Sequence, residues 1–334
     1  MKLDVALLEK LRENKTLPLP KIESWDKSAH SFDQHQLDAI EAAVLSGRPL
    51  LIRGEPGLGK SQIARAVAAA WHWRFITAFI HSRTEVEDLL FQIDHVGRLA
   101  DASVSMLGAP VADSNSTDTG SRKKVLEKVG DIANYIRPGP IWQALKQSNK
   151  SGHPDDADDA YTIGADAGCV LLIDEIDKAH RDVPNALLEV LNSGKFKIPQ
   201  TGETIQSSNG VFIVITANDE RSLPAAFLRR CAVLELTLGQ KPEQRLGEIA
   251  QTHVDNKLLE SIGPEQITKV VAYVADYRRT APADHYRPGT SEMLDMLRVI
   301  NEFDSLTGDA LDDRLQTLGK FLVMKGFSQD EIET

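Results

Sequence analysis

The octapeptide Gly54-Glu55-Pro56-Gly57-Leu58-Gly59-Lys60-Ser61 is the most specific indicator of the fold of this chain. It fits the pattern G-x-x-x-x-G-K-[ST] at every fixed position, between an apolar run at residues 49–52 and a helix-forming run at residues 62–68. A strand, a glycine loop and a helix in this order let successive backbone N–H groups point at phosphates, and the helix N-terminus adds a positive dipole. A chance glycine-rich turn would not need these flanks. We therefore interpret the octapeptide as a phosphate-binding loop.

The residues of this loop take their predicted roles from its chemistry. Lys60 is expected to reach the β- and γ-phosphates of a nucleotide, and Ser61 is expected to offer its hydroxyl to Mg²⁺. The predicted nucleotide-binding set runs from the first glycine into the helix and comprises Gly54, Glu55, Pro56, Gly57, Leu58, Gly59, Lys60, Ser61 and Gln62.

A second nucleotide element is the run Val170-Leu171-Leu172-Ile173-Asp174-Glu175. An apolar strand here would deliver two adjacent carboxylates to the sheet edge where bound phosphates lie. We expect Asp174 to hold Mg²⁺ through water, so that Ser61 and Asp174 form the metal site, and we expect Glu175 to polarise the attacking water. Two neighbouring acids favour hydrolysis of the nucleotide over binding alone.

Polar residues after another apolar run complete the predicted catalytic set. Residues 211–216 lead to Asn218, which is expected to orient the attacking water; an asparagine that caps the following turn is the alternative. Arg229 and Arg230 end a short helix predicted at residues 223–230. One of them is expected to reach the γ-phosphate of a neighbouring subunit as an arginine finger. The alternative is that the two cations pair with a helix C-terminus.

The length, net charge and cysteine content of the chain argue against several classes of protein. A chain of 334 residues suits one large and one small domain, and a formal net charge of −11 argues against a general nucleic-acid coat or a binder of anionic membranes. Cys169 and Cys231 lack metal-ligand spacing and are predicted to be buried free thiols in a reducing compartment. Charged residues near the N-terminus break up a signal-peptide core, and no apolar run approaches the ~20 residues of a membrane span. We therefore expect a cytoplasmic protein with no membrane contact.

The order of apolar and helical runs predicts an α/β protein. Near-continuous apolar runs at residues 49–53, 75–80, 169–173 and 211–215 alternate with helix patterns, which is typical of a parallel sheet between two helix layers. After residue 237 the strand pattern stops. Four helices are predicted there, with starts at Pro242 and Pro264, a cap at Thr290 and a last helix at residues 311–321.

These patterns predict three parts of the chain. Residues 1–35 form an N-terminal helix and linker, residues 36–236 an αβα nucleotide-binding domain, and residues 237–334 a small helical lid domain. Insertions are expected near residues 92–140 and 148–168. Two polar stretches within them are predicted to be loops, residues 101–124 and residues 148–168. The second carries an acidic cluster that we interpret as solvated; a metal site is the alternative.

Taken together, these motifs resemble the AAA+ ATPases and, within them, the MoxR-type branch. The similarity spans residues 36–300 and is carried, in this order, by GEPGLGKS, LLIDEIDKA, VPNALLEVLNSGKF, VITAND and LPAAFLRRC. SRTEVEDLL and RPGPIWQAL flank an insertion in the second helix that marks the branch. The related CbbQ and NorQ proteins belong to the same clade, and McrB is more distant.

The resemblance implies a P-loop NTPase with an AAA+ core and a helical lid. Such proteins bind ATP and Mg²⁺ between the subunits of a hexameric ring and remodel a partner protein, in several cases one with a von Willebrand factor A domain. The alternative is an NTP-driven motor or switch subunit of a nucleic-acid-processing or defence complex, in the manner of McrB. A scaffold that does not hydrolyse the nucleotide is the third alternative. The negative net charge disfavours nucleic acid, and the intact acidic pair disfavours the scaffold.

Two features leave alternatives open. Many AAA+ lid helices begin with an arginine that faces the nucleotide, but Ser291 stands in that place here. Either the lid is coupled to the nucleotide more weakly, or another arginine, such as Arg287, serves. The second feature is Lys195-Phe196-Lys197 in a predicted hairpin at residues 194–210. Its aromatic residue either grips a polymer at the ring axis or packs into the core.

Overall fold

A computed structural model describes residues 5–22, 25–107, 130–146, 168–206, 210–218, 220–281, 286–303 and 306–324. The fold is an α/β sandwich of the P-loop NTPase type followed by a helical C-terminal region. Among the described residues, no helix is long and apolar enough to cross a membrane.

The N-terminal segment combines a helix with a hairpin. Helix α1 (Val5–Glu13) confirms the predicted amphipathic helix, and it docks on the main body where the Trp71 indole N–H donates to the Leu7 carbonyl at 2.8 Å. The linker that follows contains two antiparallel strands, β1 (Thr16–Leu19) and β2 (Ser28–Ser31), which the sequence analysis did not predict. They form because alternate residues of β1 point inward and are buried.

The phosphate loop, residues 54–61, follows a helix and a strand. Helix α2 (Gln34–Ser46) begins where the Asp33 carboxylate accepts the backbone N–H of Gln36 at 2.8 Å, and it ends at Gly47, whose φ of 64° is the left-handed conformation of a helix stop. Strand β3 (Leu50–Arg53) then leads into the loop, and helix α3 (Lys60–Trp71) leads out of it. The predicted strand, loop and helix are therefore confirmed.

An insertion separates two short helices after the next strand. Strand β4 (Arg74–Phe79) is followed by the elements α4 (Val86–Leu90), β5 (Phe91–Ile93), α5 (His95–Leu107), β6 (Ile136–Pro138) and α6 (Pro140–Lys146). The antiparallel pairing of β5 with β6 closes the inserted segment at its base, close to the predicted bounds of 92–140.

One loop prediction within this insertion is wrong. Helix α5 continues to Leu107, although residues 101–107 were expected to be irregular. The alanine and serine residues there are compatible with a helix, and the Ser103 hydroxyl donates to the Leu99 carbonyl at 2.8 Å along the helix. The remainder of the predicted loop, residues 108–124, and the acidic cluster of the second insertion lie outside the described residues.

The central sheet has five parallel strands in the order β11-β3-β10-β7-β4. The elements between the insertion and the end of this sheet are β7 (Cys169–Asp174), α7 (Asp182–Ser193), β8 (Lys195–Lys197), β9 (Thr204–Gln206), β10 (Val211–Ala217), α8 (Ala225–Leu228) and β11 (Ala232–Glu235). Strand β11 was not predicted, because four residues with partial burial give little apolar contrast. The hairpin β8–β9 was predicted and is confirmed.

Burial on both faces of the sheet accounts for its apolar strands. In β3, Leu50 and Ile52 belong to one buried cluster and Leu51 to the other, as the period of two in a strand requires. The first cluster continues from helices α1 to α3 into the C-terminal helices. Because parallel strands align their carboxyl ends, the residues that follow β3, β7 and β10 meet at one edge of the sheet.

Four helices form the C-terminal region, and we call them the lid helices: α9 (Pro242–Asp255), α10 (Pro264–Thr280), α11 (Thr290–Asn301) and α12 (Gly308–Leu322). The two predicted proline starts are confirmed. Thr290 is the first helical residue and not the cap; Gly289 holds the cap position, where its N–H donates to the Glu292 carboxylate at 2.8 Å. The division into domains at residues 35/36 and 236/237 stays a prediction.

Candidate active site

The phosphate loop has a backbone that only glycine permits at its start. Gly54 has a φ of +145°, and a Cβ added there would overlap the carbonyl oxygen of Leu236. Lys60 lies across the loop, and its ammonium group donates to the carbonyls of Gly54 and Glu55, both at 2.8 Å. The loop therefore holds the lysine in its concavity, where a phosphate would compete with the two carbonyls.

Asp174 stands at the centre of a cluster of oxygen atoms. Its Oδ1 accepts hydrogen bonds from the Ser61 hydroxyl at 2.6 Å and from the Thr216 hydroxyl at 2.5 Å. The structure thus brings the two predicted metal ligands together. Hydroxyl and carboxylate oxygens are the ligands that Mg²⁺ prefers, usually with waters and substrate phosphates, so these residues fit that ion.

Thr216 is a site residue that the sequence analysis missed. Its side chain is fully buried, and its oxygen also accepts the backbone N–H of Glu175 at 2.9 Å. Thr216 is the penultimate residue of strand β10, and Glu175 follows strand β7, which pairs with β10. A threonine at the end of an apolar strand was the available sign, but it could not be told from an ordinary β-branched strand residue.

Glu175 is held by two side chains. The Asn218 amide N–H donates to its Oε1 at 2.9 Å, and the Lys178 ammonium donates to its Oε2 at 2.6 Å. This hydrogen bond raises the pKa of Lys178. The Glu175 backbone is left-handed, with a φ of +60°, a strained conformation for a residue with a side chain. The structure therefore brings the predicted water-polarising acid and the predicted asparagine into contact.

Asp177 is a second residue that the sequence analysis missed, and it fixes the loop that carries Asn218. Its buried Oδ2 accepts the backbone N–H of Asn218 at 3.0 Å and that of Glu220 at 3.1 Å. Asn218 thus uses its backbone N–H in this turn and its side-chain amide on Glu175. That it orients the attacking water stays a prediction.

A cavity of about 530 Å³ joins this cluster to the lid helices. Seven of the nine predicted binding residues line it, whereas Gly54 and Glu55 do not. Another part of its wall comes from β2, α9 and α11 and includes Ala29, His30, Ile249, His253 and Leu294. Apolar and imidazole groups of this kind suit the base of a nucleotide.

The two histidines of this wall are neutral and have defined tautomers. Nδ1 of His253 lies 2.9 Å from the Ile249 carbonyl and therefore carries the proton, so its Nε2 accepts from the Ser28 hydroxyl at 3.3 Å. Burial lowers the pKa of His253, and burial lowers the pKa of His30 to about 4. Neither imidazole therefore places a charge in the cavity near neutral pH.

Arg229 and Arg230 lie apart from this site. Both are exposed, neither lines the cavity, and the Arg230 guanidinium has a long contact of 3.5 Å to the Ala226 carbonyl. The structure therefore does not bring them to the phosphate loop of their own chain. Their role as fingers stays a prediction.

Phe196 of the hairpin β8–β9 packs into the core. It is 8% exposed, and its ring meets that of Trp142 edge-on at a centroid distance of 6.1 Å. The flanking Lys195 and Lys197 are exposed. Of the two alternatives for this hairpin, core packing is correct for the aromatic residue, which is not available to grip a polymer.

Both cysteines are buried, and the described residues contain no cluster of potential metal ligands. Cys169 and Cys231 are buried and unpaired, as predicted, and burial raises their thiol pKa values to about 12 and about 11. Within the described parts of the chain, no group of three or more histidine, cysteine or acidic residues could hold a metal ion.

Ser291 and Arg287 differ in their relation to the site. Ser291, at the start of α11, donates its backbone N–H to the Gly57 carbonyl at 3.0 Å, so a lid helix touches the phosphate loop directly. Arg287 does not line the cavity, although the sequence left it open as a substitute for an arginine at the Ser291 position.

Comparison with known proteins places this site in a family. A family model described as AAA domain (dynein-related subfamily) matches residues 49–231. Chaperone protein ClpB 1 of Nostoc sp. is 27% identical over 223 residues, which are 63% of this chain and 20% of that protein. Lon protease homolog 2, peroxisomal, of Zea mays is 30% identical over 300 residues, which are 82% of this chain and 27% of that protein.

One solved structure, a RuvB mutant of Thermotoga maritima, is similar with a TM-score of 0.43 and 16% identity, over 85% of this chain and 68% of that chain. The chain spans 20% to 33% of the length of the first curated relatives that it matches. The family model covers the phosphate loop, the acidic strand and the asparagine, over more than half of the 334 residues. The chain belongs to the AAA domain family, in its dynein-related subfamily.

Proposed function

We propose that this chain hydrolyses ATP, with Mg²⁺, at the site described above. The main observation behind this proposal is a group of side chains that lie together at one sheet edge beside the phosphate loop: Ser61, Asp174, Glu175 and Asn218. Membership of the AAA domain family supports the same conclusion, since its relatives here include ClpB and Lon proteins.

Each site residue has a role in this reaction that follows from its chemistry. Lys60 would exchange the two loop carbonyls for the phosphates and neutralise them, and Ser61 and Asp174 would hold Mg²⁺, which would offset charge on the leaving group. Glu175 accepts a proton from the attacking water, and Asn218 orients the carboxylate that does so. For this step the water uses a second lone pair of a Glu175 oxygen, since Lys178 and Asn218 each occupy one lone pair of the carboxylate.

We further propose that the chain is of the MoxR type, forms a hexameric ring and remodels a partner protein in the cytoplasm. The insertion between α4 and α6 and the chaperone relatives support this proposal. The exposure of Arg229 and Arg230 allows one of them to complete the site of a neighbouring subunit. A partner with a von Willebrand factor A domain fits the resemblance, and the helical region from residue 237 serves as the lid.

The test of this proposal measures phosphate release and assembly together. Glu175→Gln should bind ATP, stop turnover and hold the oligomer together, and Lys60→Ala should lose nucleotide binding. Glu260→Gln, an exposed glutamate outside the site, is the matched control and should keep wild-type turnover. Wild-type turnover in Glu175→Gln would remove the role given to that residue.

A second experiment asks whether a protein or a nucleic acid accelerates ATP hydrolysis, because this distinguishes a protein remodeller from a nucleic-acid motor. Turnover is compared with no addition, with a candidate partner protein, and with single-stranded DNA, duplex DNA or RNA. Acceleration by the protein alone supports remodelling, whereas acceleration by a nucleic acid supports the motor or switch alternative. A chain that stays monomeric with ATP present and releases no phosphate would refute the proposal.

A further inference from the structure

A partly buried arginine of the lid helices reaches the phosphate loop. Arg278 lies in the last turn of α10, and its side chain is 15% exposed. One guanidinium nitrogen forms an ion pair with the Glu55 carboxylate. The other donates to the Pro288 carbonyl at 3.1 Å, with a longer contact of 3.5 Å to the Arg287 carbonyl.

The planar guanidinium group of Arg278 binds two partners at once. Two N–H groups in fixed relative positions bind a carboxylate on the loop and a carbonyl in the segment that leads into α11. A single guanidinium therefore connects the end of α10, the start of α11 and the phosphate loop. The Arg278 side chain is mostly shielded from water, whereas the Glu55 side chain is 42% exposed, so solvent screens the ion pair in part.

Glu55 connects this contact to the catalytic lysine. Its side chain binds Arg278, while its backbone carbonyl accepts the Lys60 ammonium at 2.8 Å. A shift of the lid helices relative to the sheet therefore moves the residue that holds Lys60. Ser291, which donates to the Gly57 carbonyl at 3.0 Å, provides a second attachment two residues further along the loop.

The pair joins two parts of the chain that both line the cavity, although neither Glu55 nor Arg278 lines it. Loop residues such as Lys60 line one part of its wall, and lid residues such as Ile249, His253 and Leu294 line another. A nucleotide that touches both parts binds best when their separation is already correct, since no free energy is then spent on closing the lid.

We propose that Arg278, through Glu55, is a positioning residue that couples the lid helices to the phosphate loop and so sets nucleotide affinity. This inference rests on the proposed nucleotide site, and it assigns to Arg278 the link between lid and loop for which the sequence had offered only Arg287 as a substitute. Neither residue touches the reacting atoms. Their effect is on Kd and KM, with kcat changed much less.

A double-mutant cycle on the full-length chain tests the proposal. Affinity for a fluorescent N-methylanthraniloyl-ADP with Mg²⁺ is measured for wild type, Glu55→Gln, Arg278→Gln and the double variant. Each single change should weaken binding on the order of tenfold, as expected for loss of a charge-assisted pair, and the double variant should be no weaker than either single one. Arg279→Gln, the exposed neighbour paired with Asp276, is the matched control and should bind as wild type.

Other outcomes overturn the proposal. Single variants with wild-type affinity would mean that the pair does not act on the nucleotide, and single effects that multiply in the double variant would mean that the two residues act separately. If Arg278→Gln lost its helical circular dichroism, Arg278→Lys would take its place in the same cycle.

The affinity measurement tests the coupling, and the phosphate-release assay tests the proposed hydrolysis, so each can fail without the other. A wild-type chain that binds the ADP probe but releases no phosphate from ATP would refute hydrolysis and leave the coupling testable. A wild-type chain that hydrolyses ATP, with Glu55→Gln at wild-type affinity and KM, would refute the coupling alone.

Discussion

Replacing Thr216 tests whether its hydroxyl organises the catalytic carboxylates. Thr216→Val keeps the branched shape in a fully buried position but removes the group that donates to Asp174 at 2.5 Å and accepts from the Glu175 N–H at 2.9 Å. Thr216→Ser keeps the hydroxyl and removes one methyl group. The pair of variants therefore separates hydrogen bonding from packing.

The expected magnitudes follow from these contacts. Thr216→Val loses a hydrogen bond to a charged acceptor, worth roughly 1.5–3 kcal/mol, and leaves the Glu175 N–H without that partner, which costs about 1–3 kcal/mol. We expect the free energy of unfolding to fall by about 3 kcal/mol in total. Thr216→Ser should lower it by about 1 kcal/mol, the value of one buried methyl group.

Turnover should also fall more in Thr216→Val than in Thr216→Ser. The Glu175 N–H bond holds a residue whose φ is +60°, so its loss lets the carboxylate move out of register with Asn218. We expect kcat of Thr216→Val to fall at least about tenfold, which corresponds to ~1.4 kcal/mol, while Thr216→Ser stays within about threefold. Urea unfolding followed by circular dichroism and phosphate release are the two assays. Equal stability and equal turnover of the two variants would refute the reasoning.

Three further predictions concern other parts of the chain. Arg230→Ala should abolish phosphate release alone but regain part of it in mixed rings with wild-type subunits; no recovery in the mixtures would indicate a structural role instead. Burial lowers the pKa of His30 from 6.5 to about 4, so on acidification the unfolded chain binds this proton at a higher pH than the folded state does. The contribution of His30 to the free energy of unfolding is therefore complete above pH 6.5 and is lost as the pH falls towards 4. His30→Gln should make that decline shallower in urea titrations, and an unchanged slope would contradict the assignment. Gly247→Ala, in an open helical position of α9, should raise the free energy of unfolding by about 1 kcal/mol. Gly319→Ala should lower it by roughly 1–3 kcal/mol because the added Cβ overlaps the Tyr273 hydroxyl, and equal effects of the two changes would show that local space does not decide them.

Local patterns predicted most of the sheet and the main site residues. The phosphate loop, the apolar strands β3, β7 and β10 and the proline starts of α9 and α10 are recognisable because short-range rules determine them. Strand β11 and the β1–β2 hairpin escaped because strands this short are stabilised by their partners more than by their own pattern. Helix α5 was taken in part for a loop because its last turns run directly into the small and polar residues 108–124, and the two were read as one stretch.

The roles of the site residues were predicted one at a time, and their contacts were not. Asp174 and Glu175 were recognised from adjacency on one strand, but the hydroxyl of Thr216 joins them only because β10 pairs in parallel with β7 at one register. Asp177 was overlooked because a third acid in the run has no pattern of its own. Its function depends on two backbone N–H groups that lie 41 and 43 residues further along the chain.

The phosphate-binding loop, the acidic pair and the helices after the sheet could be predicted from the amino-acid order, since each depends on neighbours along the chain. The lid residue that reaches the loop could be identified only in the folded chain, because Arg278 and Glu55 are 223 positions apart and no local rule relates them. The tertiary structure likewise decided that Phe196 is buried and that two neutral histidines line the cavity. Burial and long-range contact arise from packing of whole elements, and that packing is a property of the folded chain.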